Sequence, residues 1–144
     1  MDLDALALAV DERVRVPAAW RNDARLYGVR VTGDQIDLEE LARGSARELP
    51  QNVRPPAGLD AIALSATAWA APLGEDGSMD TRPSLHPGRW RVHITTLIAG
   101  DGVEVSVIRR GGEEPVVARD GLGLVHRRLV RCWARRRRAP RSLV

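Results

Sequence analysis

The chain has 144 residues, 44% hydrophobic and 28% charged, an ordinary composition for one globular domain. Its single cysteine, Cys132, excludes an intramolecular disulfide and a multi-cysteine zinc site, and no apolar run approaches the ~20 residues of a membrane-spanning helix. The net charge of +3 conceals an asymmetry: residues 127–144 hold eight arginines and no acid, so residues 1–126 set fourteen arginines against nineteen Asp and Glu and sum to about −5.

All 22 basic residues are arginine, which GC-rich coding explains without special selection. The aromatic set is four Trp, one Tyr and no Phe, so Trp20, Trp69, Trp90 and Trp133 are the few large pieces available to a core. The opening MDLDALALAV lacks the positive n-region of a signal peptide, and a cytoplasmic protein is expected.

Leu3, Leu6 and Val10 have the spacing of a short helix. Val14–Val16 and Leu26–Val31 are suited to strands around an Asn22-Asp23 turn, and Asp37–Ala46 (DLEELARGSA) has the composition of a second short helix. The prolines of residues 50–58 predict an extended connector across the surface of a single domain spanning 1–138. Small residues on both faces of DAIALSATAW predict a buried strand over about 60–69, and a proline- and glycine-bearing loop follows to Gly88.

Trp90, Val92, Ile94, Thr96 and Ile98 alternate with Arg91, His93, Thr95 and Leu97, the period of a strand. Asp101-Gly102 reads as a two-residue hairpin turn, pairing Ile98 with Val105 and Thr96 with Val107. Gly111-Gly112 reads as a second turn that pairs Arg110 with Glu113, Arg109 with Glu114, Val107 with Val116 and Val105 with Ala118. This register gathers the β-branched residues on one face of a three-stranded antiparallel meander over 90–119. Pro115 marks the last strand as an edge. After Gly121 and Gly123, Val125, Leu129, Cys132 and Trp133 fall on one face of a helix over 124–138 that ends before Pro140. The expected fold is α+β: an antiparallel sheet with the C-terminal amphipathic helix packed on one face, and a flexible basic tail over 139–144.

No motif specifies a reaction, and catalytic residues remain unknown. The strongest functional signal is the arginine cluster Arg128, Arg131, Arg135, Arg136, Arg137 and Arg138. Clustered guanidinium groups neutralise phosphates or carboxylates, so the expected partner is an acidic protein or a nucleic acid. The helical spacing assigns Trp133 and Cys132 to packing. The alternative is an enzyme with an anionic-substrate site at the 80–89 loop, using Arg82, Ser84, His86 and Arg89. Asp80, Ser84 and His86 are triad residue types, but Ser and His two apart on a proline-rich loop rarely face each other. His86, His93 and His126 lack paired ligand spacing, and no metal or cofactor is expected. Gly121-Leu-Gly123 fits neither phosphate-loop fingerprint. The edge strand at Pro115–Arg119 is a candidate homodimer contact.

The segment Leu64–Arg138 resembles a group of small actinobacterial proteins with no assigned activity. The likeness rests on Ala68-Trp69-Ala70-Ala71-Pro72, on Arg82-Pro83-Ser84-x-His86-Pro87-x-Arg89, on the Asp-Gly hairpin, on a basic-Gly-x-Glu-Pro turn and on the Arg-rich C-terminal helix. It implies an intracellular protein and transfers no functional residue.

Overall fold

A helix, α1 (Leu3–Val14), opens the chain. The Asp2 carboxylate caps it by accepting the Asp4 and Ala5 amides at 2.8 and 3.1 Å, and Leu6, Ala7, Val10 and Val14 form its buried stripe. Val14 is thus helical rather than part of a strand, because it completes that stripe. The structure is a computed structural model that describes residues 2–15, 23–71, 82–111, 113–119 and 124–138. The expectations at Val16, Asn22, Asp80, Gly112, the Gly121–Gly123 turn, the Val125 side chain, Pro140 and the 139–144 tail lie outside the described residues.

Among the described residues six antiparallel strands follow: β1 (Ala24–Thr32), β2 (Gln35–Gly44), β3 (Ala61–Ala70), β4 (Trp90–Ala99), β5 (Val103–Arg109) and β6 (Val116–Ala118). They form one sheet in the order β2-β1-β3-β4-β5-β6. The short helix α2 (Leu49–Asn52) interrupts the connector, which turns again at Gly58 (φ 82°), and α3 (Leu124–Ala134) closes the described fold. The α+β class, the strand over 60–69, the meander and β6 at a sheet edge agree with the sequence reading.

Residues 37–46 do not form a helix. Gly33-Asp34 is a two-residue turn with Gly33 at φ 59°, closing a hairpin that pairs Thr32 with Gln35. Ile36 and Leu38 then alternate toward α1, and the gain from packing there outweighs the helical propensity of Leu-Glu-Glu-Leu-Ala-Arg.

Both meander turns differ from expectation by one residue. The first loop is Gly100-Asp101-Gly102, with Gly100 at φ 56° and Gly102 at φ 102°, so Leu97 pairs with Val105 and Thr95 with Val107. Beyond the second turn Val107 pairs with Val117, Ile108 with Val116 and Ser106 with Ala118. A one-residue slip moves a strand's side chains to the opposite face. Leu97, Val105 and Val107 accordingly face α1 with Ala61, Ala63 and Val29, whereas Ile98 faces α3 with Ile62, Leu64 and Leu26. The sheet carries apolar residues on both faces because helices cover both.

On the second face Leu129, Cys132 and Trp133 enter the core as the helical spacing predicts. Trp133 Nε1 donates to the Gly100 carbonyl at 2.9 Å, fastening α3 to the β4–β5 loop. The helix stops at Ala134 rather than near 138. Beyond it the chain turns to the connector, where the Arg137 amide donates to the Pro55 carbonyl at 2.8 Å.

Candidate functional site

The half of the first sheet face nearest the α1 C-terminus is polar. His93 and Thr95 from β4 and Arg109 from β5 meet Asp11, which α1 lowers onto the sheet, while Ser65 from β3 bonds His93 and Thr67 lies across from it. Ser65 Oγ lies 2.7 Å from His93 Nε2, and His93 Nδ1 lies 3.2 Å from Asp11 Oδ1. Thr95 donates to the same Asp11 oxygen at 2.7 Å, and Arg109 donates twice to Asp11 Oδ2, at 3.1 and 2.9 Å. Burial pushes the Asp11 carboxyl up, but hydrogen bonds from His93, Thr95 and Arg109 outweigh it and hold the group below the ordinary value. The carboxylate is therefore an acceptor, and Nδ1 of the ring carries the proton it receives. With the ring neutral, Nε2 then accepts from the Ser65 hydroxyl. Asp11 is fully buried, His93 is 1% exposed and Ser65 5%.

This Ser–His–Asp chain uses none of the residues the sequence singled out for that chemistry. Asp11 and His93 are 82 positions apart and Ser65 and His93 are 28 apart, so only strand pairing and the seating of α1 bring them together. A weak signal existed in the sequence: an acid at position 11 sits within the apolar Leu6–Val10–Val14 stripe.

The second site lies at the end of β3. Trp69 is 36% exposed, with the Arg89 and Arg91 guanidinium groups 4.7 and 4.9 Å from its ring centre. Arg91 also donates to Thr67 Oγ1 at 2.9 Å. Beside the ring, Arg47, Trp69, Arg82, Pro83 and Ser84 line an open pocket of about 470 Å³, and none of these side chains is acidic. A 3-10 turn at Pro83–Leu85 presents Arg82 and Ser84 there. Two stretches that stood out in the sequence, around Trp69 and around Arg82-Pro83-Ser84, thus converge on one pocket. Arg89 joins them through the ring. His86 does not, because its Nδ1 accepts the Gly88 amide at 2.8 Å and its ring serves the loop.

The C-terminal arginines divide into two groups. Arg128 donates to the Arg47 carbonyl, Arg135 to the Pro50 carbonyl, and Arg136 lies over the Trp133 ring at 4.1 Å. These three therefore brace α3 against the connector and its own core. Arg131, Arg137 and Arg138 are exposed. Arg128 also links the α3 rim to the backbone of a pocket residue, so the two cationic regions adjoin at Arg47.

The histidines go to three separate places. His126 Nδ1 meets the buried Glu104 Oε2 in an ion-pair contact without hydrogen-bond geometry, coupling α3 to β5. Among the described residues no group of three His, Cys, Asp or Glu could hold a metal ion, and no helix is long and apolar enough to cross a membrane. Burial pushes the Cys132 thiol up, and the charge of Arg135 offsets this only in part. A high-pKa buried thiol packs rather than reacts. No protein-family model, curated protein or solved structure matches the chain.

Proposed function

We propose that this protein is a binding module for an anionic partner, that the partner is single-stranded nucleic acid, and that the pocket at Trp69 is where it binds. The observation that carries this reading is an exposed indole among Arg47, Arg82, Arg89 and Arg91, beside a pocket with no acid among its described lining residues. Guanidinium groups at that spacing suit phosphates, and an indole at their centre offers a surface on which any base stacks. An acidic protein surface would be held by the arginines alone and would leave Trp69 without a role. The exposed Arg131, Arg137 and Arg138 extend the cationic surface beyond Arg47 and suit a partner longer than one nucleotide.

Fluorescence anisotropy with a labelled single-stranded oligonucleotide tests this reading. Trp69→Ala should weaken binding by about 1–3 kcal/mol, the range for a base–aromatic stack. Arg82→Ala should lower the slope of log K against log salt by about 0.7, the share of one phosphate contact. Binding that survives both changes, or polyglutamate competing as well as the oligonucleotide, would overturn it.

A further inference from the structure

The binding reading leaves the Ser65–His93–Asp11 chain unused, and that chain has the connectivity of an activated nucleophile. A hydroxyl becomes nucleophilic when a base within about 2.6–3.2 Å can take its proton and a third group fixes the base's tautomer. Ser65 Oγ to His93 Nε2 at 2.7 Å and His93 Nδ1 to Asp11 Oδ1 at 3.2 Å satisfy both conditions. Thr95 and Arg109 fix the Asp11 carboxylate in turn, so each member is held by the next. Residual exposure rises along the chain from Asp11 to Ser65, the order expected if only the nucleophile must meet a substrate.

A second, independent observation lies on the neighbouring strand. Arg25 is the direct cross-strand partner of Ser65, so the two share a face. Among the described residues its Nε, which is buried, makes no hydrogen bond and has a 3.5 Å ion-pair contact with Glu40. Buried donors are rarely left without an acceptor. A donor on the strand paired with the nucleophile's own suits the negative charge that develops on a carbonyl oxygen under attack.

We propose that Ser65 is the nucleophile of an esterase-type site, with His93 as its general base, Asp11 as the positioning residue and Arg25 as the oxyanion donor, acting on small carboxylic esters. Ser65 Oγ attacks the ester carbonyl carbon as its proton passes to His93 Nε2. The tetrahedral intermediate collapses, breaking the bond to the alkoxide leaving group, which takes the proton from Nε2 and departs as the alcohol. Water then attacks acyl-Ser65 with His93 again as base, releasing the carboxylic acid and restoring the hydroxyl. Ser65 is only 5% exposed, which suits a short acyl group. None of these residues lines the Trp69 pocket, so this proposal and the binding reading can fail separately.

The test uses the full chain and a fluorophosphonate probe with a short alkyl group, followed by intact mass and peptide mapping. The expected result is one adduct on Ser65 in the native protein, absent when the protein is unfolded in urea before labelling. Absence of an adduct on the native protein, or an adduct on Ser84 or another hydroxyl instead, would overturn the proposal. p-Nitrophenyl acetate provides a second measurement. Ser65→Ala with an unchanged circular dichroism spectrum should hydrolyse it at least tenfold more slowly, and an unchanged rate would also overturn the proposal.

Discussion

Asp11 concentrates the energetics of one sheet face in a single carboxylate. It is fully buried, and its four hydrogen-bond contacts come from β4 and β5. Taking away one partner of a buried ion pair leaves the other uncompensated, so Asp11→Asn should cost about 3 kcal/mol in urea unfolding. The pH dependence follows from the lowered folded-state value. The unfolded chain binds a proton more readily than the folded one, so the contribution is complete above the unfolded carboxylate value and is lost as pH falls through the folded one. The stability gap between wild type and Asp11→Asn should therefore narrow as pH falls through and below the ordinary carboxylate range. A gap that stays constant across that range would place the stabilisation outside the charge. Cys132 is the converse case, a group with reactive chemistry used as a small apolar piece. In the native protein it should resist a thiol-specific disulfide reagent at neutral pH and react stoichiometrically in denaturant.

At the scale of elements, α3 and the β4–β5 loop stabilise each other. Leu129 is fully buried among Leu26, Ile62, Leu64 and Ile98, and Leu129→Ala should cost about 2–5 kcal/mol in the same urea assay. Gly100 adopts φ 56°, and its carbonyl receives the Trp133 indole proton. Gly100→Ala should lose about 1–2 kcal/mol to left-handed strain alone, since a Cβ there meets nothing within 4 Å. The same loop shows where reading the sequence reached its limit. Asp101-Gly102 correctly located the hairpin, but a two-residue and a three-residue loop around it have near-identical sequence signals. The choice between them lay in the partners of Val105 and Val107, which the core beneath α1 supplies. Residues 37–46 failed for a related reason: their helical propensity is local, whereas the α1 surface against which Ile36 and Leu38 pack is not.

At the scale of the whole molecule, the two cationic regions meet at Arg47. The arginine cluster that dominates the sequence is partly structural, because Arg128 and Arg135 satisfy carbonyls of residues 47 and 50. Arg135→Ala should accordingly lower the unfolding midpoint as well as any affinity for an anion, whereas Arg138→Ala should affect affinity alone. Thermal unfolding measured alongside anisotropy separates the two effects. The pocket itself was only half legible. Arg82, Ser84 and Arg89 stood out as a loop site, yet Arg47 and Trp69 did not join them, because the residues between 47 and 82 gave no hint that β3 would carry Trp69 back to that loop.

The sequence by itself determined the features that depend on near neighbours: the amphipathic stripe of α3, the antiparallel meander, the edge position of β6 and the uneven distribution of charge. Each follows from periodicity, turn chemistry or composition, which act within about ten residues. Only the tertiary structure decided which face each strand turns to α1, and with it the meeting of Asp11, Ser65 and His93. The physical reason is that a strand's two faces are equivalent until something covers one of them. Here a helix covers each, and the acid within the α1 stripe selects the side where a histidine, a hydroxyl and an arginine can satisfy it.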